Sequence, residues 1–187
     1  MNLALVLTFD ARPNEARPLL ARAIGITQKQ GDLRFLGLAQ CYAALTELLA
    51  GVPAQGEEWA SRATETLKPV PSLRPAAIAV RARCVLAQGR TAEALEYAVT
   101  ASRLLEAAGS VDDGEACIRL ALVECLHASG DAPGARVALS QALARIQEQA
   151  DKIPLPEWRH AFWHRIPDHA RTLALGRQWE ILSSDPA

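Results

Sequence analysis

His160 and His164 stand four residues apart, a spacing that brings two imidazoles onto one helix face where a metal ion could bridge them. The stretch His160-Ala-Phe-Trp-His164 lacks the glutamate of the metalloprotease pattern, and His169 is the one neighbour able to offer a third ligand. The pair reads as exposed or interface histidines, and no metal or cofactor is expected. Cys41, Cys84, Cys117 and Cys125 are spread out, with no CxxC pair and no zinc-finger spacing, so they read as four small buried hydrophobes. Asp112-Asp113-Gly114-Glu115 is acidic but has no EF-hand register, and is expected to favour the positive end of the helix that starts there. GxGxxG, GxxxxGK[ST] and GxSxG patterns are all absent, so no phosphate cradle or nucleophile elbow is in view and a non-catalytic protein is expected.

Arginine outnumbers lysine 17 to 3. Arg159, Arg165, Arg171 and Arg177 fall six apart, off any single helical stripe, and read as solvated or carboxylate-paired groups.

The elements that would position these side chains are helices. Of 187 residues, 36 are Ala and 26 are Leu, both strong helix formers, while β-branched and aromatic runs are scarce. The fold class expected is all-α. A net charge of −1, without a basic face, argues against a nucleic-acid partner. No apolar stretch approaches the roughly 20 residues of a membrane span, and Met1–Leu7 has neither a basic n-region nor a cleavage site. A cytoplasmic chain with no membrane partner is expected.

Four segments superpose. A small residue recurs at Ala16, Gly56, Ala94 and Ala135; four residues later come Leu20, Ala60, Ala98 and Leu139; three further on come Ala23, Ala63, Ala101 and Ala142. The offsets are 40, 38 and 41 residues in all three columns. Positions four and then three apart share one helical face, and keeping that face small lets a neighbouring helix approach closely. An apolar helix precedes each turn, and the turns Gly51-Val-Pro53, Gly89-Arg-Thr91 and Gly130-Asp-Ala-Pro133 supply stops followed by starts, with Thr91 and Asp131 as N-caps. Each unit is then a helix hairpin, and stacking buries faces that one hairpin would leave wet. Helices are expected near 2–9, 13–30, 32–50, 55–68, 73–88, 91–108, 112–129 and 132–151. The short first unit suggests an array cut from a longer one, or an end covered by a partner.

The second-helix pattern, best in Arg90-Thr-Ala-Glu-Ala-Leu-Glu-Tyr-Ala-Val-Thr-Ala101, resembles the tetratricopeptide repeat. The period exceeds the standard length of about 34 residues, and units near 40 look more like the variant in bacterial signalling ATPases and maltose-type transcription activators. The first-helix signature Trp and Tyr are absent. The resemblance implies a right-handed helix-hairpin solenoid over 1–151. Residues 152–187 hold Trp158, Trp163 and Trp179, and read as two further helices that cap the array or, with Phe162, form a docking face. Phe162-Trp-His-Arg-Ile-Pro-Asp-His-Ala-Arg-Thr-Leu-Ala-Leu-Gly-Arg-Gln-Trp179 is similar to the closing segment of large bacterial regulators carrying a serine/threonine kinase or ATPase domain.

The working surface of such a solenoid is the concave side, lined by first helices. Stacking these puts Leu45, Arg83 and Glu124 in one column, Leu48, Leu86 and His127 in another, and Cys41, Ala79 and Leu120 in a third. Leu45, Arg83, Glu124 and His127 are the groove candidates. The leading expectation is a protein or peptide docking module. A small-ligand sensor is the alternative, and a module that pairs as a homodimer through an open solenoid end is the third.

Overall fold

The computed structural model describes residues 1–109 and 111–182, so the last five residues of the expected cap lie outside the described residues. Among those described, the chain forms ten α-helices and no strand: α1 (Asn2–Phe9), α2 (Pro13–Gln30), α3 (Leu33–Leu49), α4 (Pro53–Thr66), α5 (Arg74–Ala87), α6 (Thr91–Ala108), α7 (Glu115–Ala128), α8 (Ala132–Ala150), α9 (Pro156–Arg165) and α10 (Pro167–Gln178). The fold class is all-α. No helix among the described residues is long and apolar enough to cross a membrane.

Helix borders follow the punctuation of the sequence. Proline occupies the first turn of α2, α4, α5, α8, α9 and α10, where its missing N–H removes no intrahelical bond. Asp131 caps α8 by accepting from the Gly134 N–H at 2.9 Å. Thr91 is the first helical residue of α6 rather than its cap; Arg90 takes the cap position without a side-chain bond.

One turn geometry recurs, and four of its copies fall at the turns of the four sequence repeats. The N–H groups of Arg12, Val52, Arg90 and Asp131 donate to the carbonyls of Leu7, Glu47, Val85 and Leu126, each five residues back, at 2.8, 2.9, 3.2 and 3.0 Å. This is the long bond of a Schellman-type helix ending. The residue before each donor carries a positive φ: 77° at Gly51, 80° at Gly89 and 90° at Gly130. In the first turn the same position is Ala11, at 56°, a conformation that its Cβ disfavours. The four donors are spaced by 40, 38 and 41 residues, as the sequence columns are. Every residue of those columns is buried except Ala23 near the N-terminal end, which is half-buried.

Helices α3, α5 and α7 pack on one another in order, and each also packs on the even-numbered helices beside it in sequence. They are buried on most of their circumference because their apolar residues run all round: α3 buries nearly every position from Leu36 to Glu47, and α5 buries Pro75–Val80, Ala82, Cys84 and Val85. By contrast α4 and α6 bury one stripe each, Gly56, Ala60, Ala63 and Thr64 in the first and Ala94, Ala98, Ala101 and Leu105 in the second. The last two helices complete a separate apolar cluster, in which Trp163, Leu173 and Leu175 join Leu120, Val123, Leu139, Leu143 and Ile146.

Candidate functional site

Helix α10 packs on α7, α8 and α9. Its first turn reaches across to α5, where Arg83 Nη1 donates to Asp168 Oδ1 at 2.6 Å. Arg83 Nε also donates to Glu124 Oε2 at 3.2 Å, and Arg171 Nε donates to Glu124 Oε1 at 3.1 Å. The side chains of Arg83, Glu124 and Asp168 are only 11, 18 and 12% exposed. Burial opposes the charge on Arg83, but Asp168 foremost, with Cys117 and Glu124, outweighs it and holds the guanidinium pKa well above its usual value. Arg83 and Glu124 thus meet as the sequence column places them, yet they pair with each other and with α10 instead of standing on an open rim. The reason is the last helix, whose position in space no repeat column encodes.

This ion-pair network lies between two clefts. The second is a cavity of about 310 Å³ lined by Leu48, Leu86, Glu124, His127, Arg171 and Trp179 among others. The expected column of Leu48, Leu86 and His127 forms one wall of it. The His127 ring packs on Trp179 with centroids 4.7 Å apart.

The first cleft is a cavity of about 340 Å³. Its apolar walls come from Leu5 and Phe9 of α1, Leu45 of α3, Val80 of α5, and Phe162 and Ile166 of the tail. The approach to α7 forms its polar side. Gly114, at φ 80°, sits so close to α5 that a Cβ there would lie 2.6 Å from the Ala76 Cβ, and this contact brings Asp113 to the cleft wall. Asp113 accepts a 2.8 Å hydrogen bond from the Tyr42 hydroxyl. Burial, and then the Asp113 carboxylate, push the Tyr42 pKa far up, so the phenol stays protonated. The acidic cluster stands at the start of α7, with Glu115 in its first turn; Asp112 turns to Ser72 and Arg34, and Asp113 to Tyr42.

His169, also on this cleft, is buried, and burial lowers its pKa. The ring is neutral near pH 7, so Nδ1–H donates to the Phe162 carbonyl at 2.8 Å. Cys41 and Cys117 line the same cavity as thiols: burial pushes Cys117 up to about 12 and raises Cys41 well above its usual value. Neither is an activated nucleophile. All four cysteines are buried and free.

The remaining candidates are scattered. Trp163 is buried in the core cluster, Trp158 is 62% exposed, and Phe162 and Trp179 line the first and second clefts respectively. His160 and His164 stack with centroids 4.3 Å apart, and no three His, Cys, Asp or Glu side chains are grouped for a metal among the described residues.

No family model, curated protein or solved structure matches this chain. What the clefts can do follows from their own chemistry. They offer concave apolar surface with a few fixed polar groups, an arrangement suited to binding. Sequence reasoning missed Tyr42 and Asp168, and weighed Asp113 and His169 only as part of an acidic helix start and as a third metal ligand. Their convergence joins α3, the start of α7 and the start of α10, and no spacing within one helix signals it.

Proposed function

We propose that this chain is a non-catalytic, tetratricopeptide-like interaction module that holds a segment of a protein partner against the inner helices α1, α3, α5 and α7. The observation that carries this reading is the half-open apolar cleft of about 340 Å³ between those helices and the tail. A cleft of that size accepts anchor side chains of a bound segment, which is how most interface energy is concentrated. Support for the solenoid comes from the four repeated turns, the buried small-residue columns and the packing of α3, α5 and α7 in order. On this reading 1–151 is the array, 152–187 is its cap, and the whole serves a bacterial signalling kinase or ATPase as a docking region.

The test is photo-crosslinking in source cells from a benzoylphenylalanine placed at Leu45, with Ala116→Trp as the blocked control. Ala116 is half-buried on the cleft wall, so a bulky ring there fills space without emptying the core. One recurring protein adduct that Ala116→Trp abolishes is the expected result. Adducts identical in both proteins, or none, would overturn the proposal.

A second reading, a small-ligand sensor, is favoured by the convergence of Tyr42, Asp113 and His169 in a partly enclosed cavity. It predicts a thermal shift with a metabolite that Ala116→Trp removes.

A further inference from the structure

The lining of the first cleft is uneven in charge. It includes four carboxylates, on Asp112, Asp113, Glu115 and Asp168, and no lysine or arginine among the described residues. Three of the four are neutralised by arginines reaching in from outside the lining. Asp112 pairs with Arg34 at 2.9 Å, Glu115 with Arg119 and Arg145 at 2.9 Å each, and Asp168 with Arg83 at 2.6 Å. Asp113 has the Tyr42 hydroxyl and, among the described residues, no cation. The imidazole of His169 is engaged by the Phe162 carbonyl and adds no positive charge. One negative charge without a paired cation therefore faces a cavity whose apolar wall includes Leu5, Leu45, Val80 and Ile166. The rings of Phe9, Tyr42 and Phe162 stand in the same wall, and aromatic rings favour a cation as well.

From this charge pattern we infer that the cleft takes a lysine or arginine side chain of a partner segment, its alkyl stem against the apolar wall and its cationic head on the Asp113 carboxylate, with apolar residues flanking it. The inference rests on the docking reading above and names the chemistry of the docked segment. A cation is selected because the free carboxylate loses hydration when the cleft fills, and an opposite charge that also donates hydrogen bonds replaces it best. The amphipathic stem fits because Lys and Arg carry several methylenes below the charge. An acidic or neutral anchor would leave the Asp113 charge covered without a counter-charge.

The experiment is a selection of displayed random dodecapeptides on the full chain, run in parallel on Asp113→Asn and Ala116→Trp. Asparagine keeps the size of Asp113 and can still accept from Tyr42, so the fold should persist; a circular-dichroism melt checks it. The expected result is enrichment of peptides with a Lys or Arg between apolar residues. Asp113→Asn should weaken such a peptide by about tenfold or more, added salt should weaken it further, and norleucine in place of lysine should reproduce the loss. Enriched peptides that Ala116→Trp rejects, but that lack a basic residue or ignore Asp113→Asn, would overturn the inference and leave the docking reading standing. A selection that enriches nothing sensitive to Ala116→Trp would overturn both. Stabilisation by alkylammonium ions without any peptide enrichment would transfer the site to a small organic cation and likewise overturn the inference.

Discussion

Arg83 shows how one residue changes meaning once its surroundings are known. In the repeat columns it stands between Leu45 and Glu124 as a candidate for an open groove; in the fold it joins α5, α7 and α10 through Asp168 and Glu124. Removing one member of a buried ion-pair group leaves the others uncompensated, so Arg83→Ala should cost about 3–5 kcal/mol in a urea titration. Arg83→Met combined with Asp168→Leu should retain most of that stability. A double loss equal to the sum of the single losses would show that the pair is uncoupled. His169 carries a pH signature. Burial lowers its pKa in the folded chain below the ordinary 6.5. As pH falls below 6.5 the unfolded chain binds the proton and the native chain resists it, so stability drops with falling pH. The urea midpoint of wild type should therefore fall more between pH 7 and pH 5 than that of His169→Gln. Parallel slopes for the two proteins would contradict the buried neutral ring.

At the scale of the element, the four matching turns give an internal control. Gly51, Gly89 and Gly130 occupy the left-handed position and Ala11 occupies it in the first turn. A residue with a Cβ is disfavoured there by roughly 1–2 kcal/mol, whereas glycine loses more freedom than alanine when the chain folds. Ala11→Gly should therefore be neutral to stabilising by up to about 1 kcal/mol. A Cβ added at Gly89 would have no atom within 4 Å, so Gly89→Ala meets open space and reports the backbone cost alone, a loss of about 1 kcal/mol. Gly89→Ala should lower the thermal midpoint while Ala11→Gly leaves it unchanged or raises it; a fall in both would mean that the turns are not equivalent.

For the whole molecule, the tail forms one side of the first cleft and completes the second core cluster. Trp163 is buried with Leu120, Val123, Leu139, Leu143 and Ile146, and it is the largest fully buried side chain among the described residues. Trp163→Ala should cost about 3–5 kcal/mol by cavity formation, read by urea unfolding. Because Phe162, Ile166 and Asp168 border the first cleft beside it, the same variant should also weaken any ligand of that cleft. An unchanged affinity in a destabilised Trp163→Ala protein would separate the tail from binding.

Helix number, helix borders to within three residues, and the faces that α2, α4, α6 and α8 bury were legible in the chain itself. They rest on local rules: Ala and Leu content, proline in first turns, glycine at reversals, and small residues four and three apart. Those rules act within a few residues, so sequence spacing reports them directly. The partners of Asp112 and Asp113 were not legible, nor was Asp168 as a partner of Arg83. Asp113 meets Tyr42 from 71 positions away and Arg83 meets Asp168 from 85, and such meetings depend on the angles accumulated over several packed helices. The clefts belong to the same class. Their walls were present in the sequence as ordinary apolar columns, but which carboxylate was left without a cation was decided only when α10 and the start of α7 came to rest against α5.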